Sequence, residues 1–218
     1  MSPVSTSPVR PLLVALLTSM LAAPALSSEP PRPASPPAPA APTPPPAAPA
    51  PAPAPSATAP AAPTPAARPE DVATPEALVA ALYDVISGPK GQARDWERFR
   101  SLFAPGARMI PSGKRKDGTV SHRMLTPEDY IQASGKLLVE DGFREREVSR
   151  VAERFGPLVH VFSTYEAFRG EETRPFLRGI NSIQAVHDGK RWWLLTVAWT
   201  PETPEQPLPA KYLPPAPR

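Results

Sequence analysis

Of the side chains able to do chemistry in this 218-residue chain, cysteine is absent, and the three histidines, His122, His160 and His187, stand far apart. No G-x-x-x-x-G-K, G-x-S-x-G or H-E-x-x-H stretch occurs, so a phosphate-cradling loop, a nucleophile elbow and a zinc-peptidase helix have no support. A metal could be held only through carboxylates, and no cofactor is expected. What remains is glutamate placed inside strands. Two runs, Phe143 to Phe155 and Leu158 to Arg169, flank Gly156-Pro157. A two-residue turn there sets Glu153 opposite His160, Val151 opposite Phe162, Ser149 opposite Thr164 and Glu147 opposite Glu166. Two facing carboxylates on a largely apolar face repel unless one is protonated or a cation lies between them. Arg178, on the next strand, can supply that cation. Glu147 and Glu166 are therefore the candidate catalytic pair, with Arg178 orienting an anionic or carbonyl substrate. A satisfied ion-pair network fits the same residues, and the pattern leaves both readings open.

The strands that must carry these groups are organised around Leu177 to Thr200. Runs rich in β-branched and aromatic residues flank Asp188-Gly189, a dipeptide that tolerates the positive φ angles of a type I′ turn. Counted from that turn, Gln184 pairs with Trp193 and Arg178 with Trp199 on one face. Arg178, Trp199 and Gln184, with Tyr165 on the preceding strand, are the candidate ligand-binding residues, the Arg178 guanidinium stacking on the Trp199 indole. The other face carries Ile183, Ala185, Trp192 and Leu194 and is too apolar to leave in water. Its simplest cover is a second copy, so a homodimer through the face bearing Trp192 and Leu194 is expected.

The rest of the domain reads in order. Thr74-Pro75-Glu76 opens a helix whose apolar positions Leu78, Val79, Leu82, Tyr83 and Ile86 recur at helical spacing until Gly88. Asp95 opens a shorter one, with Arg98 and Arg100 on its solvated face and its apolar stripe running to Phe103. Ala107 to Pro111 and Thr119 to Leu125 read as strands, and Thr126-Pro127-Glu128-Asp129 launches a third helix. The order ααββαββββ, with helices segregated from an antiparallel sheet, is that of an α+β domain. The D-W-x-R-F-R-S-L-F stretch at Asp95, T-P-E-D-Y at Thr126, V-F-S-T-Y-E ending at Glu166, R-G-I-N-S-I-Q at Arg178 and W-W-L-L-T-V-A-W at Trp192 resemble an exported bacterial branch of the nuclear transport factor 2-like superfamily. The resemblance spans Thr74 to Leu213. It implies a cone-shaped curved antiparallel sheet packed with three helices, a ligand pocket between them and a dimer through the sheet. That superfamily includes ketosteroid isomerases, SnoaL-like cyclases and non-catalytic binding domains, so the resemblance fixes a fold before a function.

Composition divides the chain. Of 24 Lys and Arg and 21 Asp and Glu, only Arg10, Arg32, Arg68 and Glu29 precede residue 70, leaving the remainder nearly neutral. No clustered basic face is evident, and nucleic acid is not an expected partner. Residues 1–28 read as a secretory signal peptide, an apolar run from Leu12 followed by small residues, which places the protein in the periplasm or outside the cell. Membrane contact is expected only if that segment stays uncleaved. Residues 29–69, almost wholly Pro, Ala, Ser and Thr, read as an extended linker. Residues 70–218 form one domain, whose last stretch, PETPEQPLPAKYL, is expected to dock Tyr212 and Leu213 in a groove beside the first helix. Two functions follow: a small-ligand-binding or protein-interaction module, or a lyase or isomerase acting on a small molecule inside the cone. The first predicts a cone filled with side chains; the second predicts a closed-ended pocket with an ionisable residue on its wall.

Overall fold

The computed structural model describes residues 64–115 and 117–215. The signal segment and nearly all of the Pro/Ala-rich linker lie outside the described residues. Four α-helices occur within them: α1 (Pro69–Val72), α2 (Pro75–Ile86), α3 (Trp96–Ser101) and α4 (Pro127–Asp141). Six strands accompany them: β1 (Phe103–Lys114), β2 (Val120–His122), β3 (Phe143–Phe155), β4 (Leu158–Arg169), β5 (Leu177–His187) and β6 (Trp192–Pro201). A short 3-10 turn, Ala210–Tyr212, follows.

Helix starts form where the sequence places them. The Thr74 hydroxyl accepts from the Ala77 amide at 3.1 Å, and Pro75 fills the first turn, where no amide is needed. Thr126 and Asp129 close a reciprocal capping box over the start of α4. Asp95 caps α3 by accepting from the Arg98 amide. Arg98 itself departs from the expected solvated face: its Nε and Nη2 donate to the two Asp71 oxygens at 2.7 and 2.8 Å, clamping α1 to α3, and it also pairs with Asp84. Buried Arg94 does similar work by donating to the carbonyls of Ile86, Gly88, Gln92 and Leu138, which ties the end of α2 to α4.

The strands form one sheet in the order β2-β1-β6-β5-β4-β3. It is a curved, unclosed α+β sheet, but it is mixed rather than purely antiparallel, because β1 runs parallel to β6. Helices α2, α3 and α4 lie on its concave face. Leu78, Leu82, Phe99, Leu102, Val161, Ile183, Leu194 and Val197 meet there in a continuous core. Trp192 and Leu194 belong to that core, Leu194 being fully buried. The face assigned to a second copy is therefore covered by the chain's own helices, and a dimer is not its cover. The apolar alternation required a partner without saying which one.

Both hairpins depart from simple counting. At Gly156-Pro157 the two-residue turn forms, with Gly156 at φ 55° and Phe155 opposite Leu158. Pairing follows expectation as far as Ser149 with Thr164, and then a bulge at Val148 shifts it, so Glu147 faces Tyr165 and Arg146 faces Glu166. At the second hairpin His187 pairs with Trp192, two residues wider than a two-residue turn allows, because Asp188 accepts from the Lys190 and Arg191 amides across the loop. A bulge at Leu195 follows, setting Gln184 opposite Thr196 and Asn181 opposite Trp199. Each bulge transfers the rest of its strand to the other face.

The C-terminal segment docks, but on the convex face rather than beside the first helix. Thr164 Oγ1 donates to the Tyr212 carbonyl at 2.6 Å, and the Tyr212 ring lies 5.4 Å from Phe162.

Candidate functional site

Between the concave face and α2 and α4 lies a cavity of about 60 Å3. Its walls are mainly apolar: Leu82 and Ile86 from α2, Leu137 and Leu138 from α4, Phe143, Val197 and Trp199 from the sheet. The polar groups on the wall are Glu145, Asn181, Tyr83, Tyr130, Tyr165 and Ser134. At roughly 10–15 Å3 per water-sized occupant, the space of about 60 Å3 takes about four to six such occupants without any movement of the helices.

Glu145 sits on β3 before the bulge and so points into the concave side. Surrounding protein pushes its carboxyl up to about 7, desolvation being the main cause and a hydrogen bond from Asn181 opposing it. Asn181 Nδ2 donates to Glu145 Oε1 at 3.2 Å and to the Tyr83 hydroxyl at 2.9 Å. Tyr83 lies 2.7 Å from Ser163 Oγ, which in turn donates to Glu147. Glu147 is held by Arg150 at 2.6 Å and faces an outer groove, of about 640 Å3, along the β3 edge.

Tyr165 is the other unusual group. Its ring is buried, and its hydroxyl has no hydrogen-bond partner among the described residues. Burial and the nearby Glu145 carboxylate raise its phenol further. The same causes raise Tyr130. Room for the Tyr165 ring comes from Gly179, where a Cβ would stand 2.6 Å from the Tyr165 hydroxyl and 2.4 Å from the Thr200 carbonyl oxygen. A buried phenol hydroxyl left without a partner is costly, by about 1–3 kcal/mol, and this one packs beside Gly179, closed off from any guest unless the ring moves.

The sequence-derived candidates divide. Tyr165 and Trp199 line the cavity. Glu147 does not, but it is wired to the cavity through Ser163 and Tyr83. Glu166 lies on the convex side, paired with Arg146 at 2.8 Å rather than facing Glu147. Arg178 is also convex, bound to Glu202 at 2.8 Å, and its predicted stacking on Trp199 is absent because Trp199 turned to the concave side after the bulge. Gln184 is exposed on the convex face. The catalytic pair expected from facing carboxylates is thus not assembled. Glu145, Asn181, Tyr83, Tyr130 and Ser163 were missed. The two tyrosines sit within helical apolar stripes and read as core, and Asn181 carried the one signal available, a lone amide among Gly179, Ile183 and Ala185. No group of three His, Asp or Glu residues converges on a metal-holding arrangement among the described residues.

No family model matches the chain, and no curated protein matches it. Solved structures do resemble it. A protein of unknown function with a cystatin-like fold from Nostoc punctiforme aligns at 15% identity over 61% of this chain and 90% of its own, with a TM-score of 0.44. An uncharacterized cystatin-like protein from Caulobacter vibrioides aligns at 16% identity over 60% and 88%, with a TM-score of 0.43. A nuclear transport factor 2-like protein of unknown function from Shewanella baltica aligns at 7% identity over 58% and 89%, with a TM-score of 0.38. The likeness is one of fold.

Proposed function

We propose that the domain binds a compact, mainly apolar small molecule in the cavity between the concave sheet and α2 and α4, with the guest's polar end against Glu145 and Asn181. The observation that carries this reading is a cavity with mainly apolar walls onto which Glu145 and its hydrogen-bonded partner Asn181 converge. Apolar walls with a few converging polar groups are the ordinary composition of a small-molecule site. The limited volume restricts the guest to a fragment-sized molecule or requires α4 to shift outward.

A second reading, acid-base catalysis by a lyase or isomerase, is favoured by one specific feature. A carboxyl held near 7 exchanges its proton readily at neutral pH, which is what a general acid or base requires. Glu145, rather than Glu147 or Glu166, would then be the acting group. Delivery of the domain outside the cytoplasm on a proline-rich tether belongs to the same proposal.

A thermal-shift and ligand-observed NMR screen of small phenols, ketones and lactones tests the pocket. Binding in wild type and its loss in Ser134→Phe, which fills the cavity from α4, supports it. Equal binding by both proteins would remove the cavity from consideration. Deuterium incorporation at the carbon next to a bound ketone's carbonyl, abolished by Glu145→Gln with binding intact, would favour the catalytic reading.

A further inference from the structure

The hydrogen bonds leading away from the cavity have a direction that can be worked out atom by atom. Glu147 accepts from both Ser163 and Arg150, so the single Ser163 hydroxyl hydrogen is committed to Glu147. Ser163 Oγ must then accept from Tyr83, which uses the one hydrogen of the Tyr83 phenol. Tyr83 in turn accepts from Asn181 Nδ2, whose other hydrogen goes to Glu145. Both amide hydrogens of Asn181 are spent. What Asn181 has left for a guest is its carbonyl oxygen, an acceptor.

The chain is anchored at the Glu147 end by an ion pair outside the cavity; at its other end the Glu145 carboxyl accepts from Asn181, and when protonated it can donate as well as accept, so below pH 7 that end does not set the direction. Burial and the nearby Glu145 charge disfavour a Tyr83 phenolate, so the phenol stays protonated and the direction does not reverse by ionisation of Tyr83. We infer that Glu147, which does not touch the cavity, is a positioning residue that fixes the orientation of the Asn181 amide through Ser163 and Tyr83, so that the cavity selects a guest with a hydroxyl or amine donor. Such a guest gives its donor to the Asn181 carbonyl oxygen and lays its apolar body against the cavity wall. Small hydroxy-carbonyl compounds and phenols have this pattern; ethers and halogenated rings of the same size do not. This inference rests on the cavity being a binding site, but its first test does not.

Replacing the carboxylate by an amide, Glu147→Gln, lets the side chain donate to Ser163, and at pH 6, where Glu145 holds a proton it can donate to Asn181, every bond in the chain can then run the other way. In wild-type protein the Asn181 side-chain NH2 protons should show cross-peaks to the Tyr83 ring and slow exchange with water. Glu147→Gln should weaken those cross-peaks and speed the exchange. Ser163→Ala, which cuts the chain without disturbing Arg150, should do the same if the first variant folds poorly. Unchanged Asn181 signals in both variants overturn the inference. The second arm measures phenol against fluorobenzene by ligand-observed NMR, two probes of equal size that both require the same outward shift of α4, so that the shift cancels from the comparison. Wild type should prefer phenol by roughly fivefold, the value of one net hydrogen bond, and Glu147→Gln should lose that preference while fluorobenzene binding stays the same. An undiminished preference in Glu147→Gln also overturns the inference. Binding of neither probe to wild type counts against the cavity as a ligand site, and the Asn181 signals then decide the positioning role alone.

Discussion

The Glu145 carboxyl, half-buried between the cavity and the outer groove but surrounded by enough protein to lose much of its hydration, makes the stability of this domain depend on pH in an unusual direction. A free glutamate titrates near 4.5, and Glu145 in the folded chain near 7. Between those values the folded protein holds a proton that the unfolded chain has released, so stability is fully present below the lower value and is lost as pH rises through the upper one. A difference of this size corresponds to about 3 kcal/mol, at ~1.4 kcal/mol per pKa unit. That is a large fraction of the 5–15 kcal/mol typical of a domain. Urea unfolding followed by tryptophan fluorescence at intervals from pH 5 to pH 8 should therefore show the wild-type midpoint falling steadily. Glu145→Gln keeps the shape and cannot ionise, so its midpoint should change much less over the same range and overtake wild type near pH 8. Carboxylates with lowered values, such as Asp71 and Asp129, act at more acidic pH and leave this window clear. Parallel midpoint curves for the two proteins would refute the assignment of Glu145 as a neutral group below 7.

Three further outcomes follow from the packing. Asp71→Asn leaves the Arg98 guanidinium with the exposed Asp84 as its only charged partner among the described residues and one weakened contact to α1, and should cost about 1–3 kcal/mol in urea unfolding. Because the Arg98 hydrogen bonds lower the Asp71 carboxyl, its stabilisation is present at neutral pH and is lost as pH falls through the folded value, a loss the variant should not show. Gly179→Ala places a methyl against the Thr200 carbonyl and the Tyr165 hydroxyl; a loss of at least ~2 kcal/mol is expected, and near-neutral stability would mean the Tyr165 ring is free to move. Truncation before Ala210 should lower the unfolding midpoint by the equivalent of about 1–2 kcal/mol through the lost Tyr212 contacts, whereas truncation after Leu213 should not.

Local chemistry carried most of the architecture. The caps at Thr74, Asp95 and Thr126, the prolines that follow two of them and the Gly156-Pro157 turn are short-range signals, and each forms where the residues place it. The α+β order and the existence of two hairpins followed from the same signals. Tertiary structure decided which side each strand residue faces. A bulge at Val148 puts Glu147 and Glu145 on the helix-covered side of the sheet, Glu145 reaching the cavity and Glu147 the outer groove, and leaves Glu166 on the other side with Arg146, while one at Leu195 turns Trp199 away from Arg178 and into the cavity. Nothing in the alternation of the strands records those extra residues, because a bulge answers to the curvature that the sheet needs to wrap its helices. The parallel pairing of β1 with β6 and the cover over Trp192 and Leu194 also depend on segments distant in the chain. Glu145 illustrates the difference: one glutamate among several on β3 by sequence, it acquires its near-neutral carboxyl only when α2, α4 and the concave sheet close around it and remove the water that would keep it ionised.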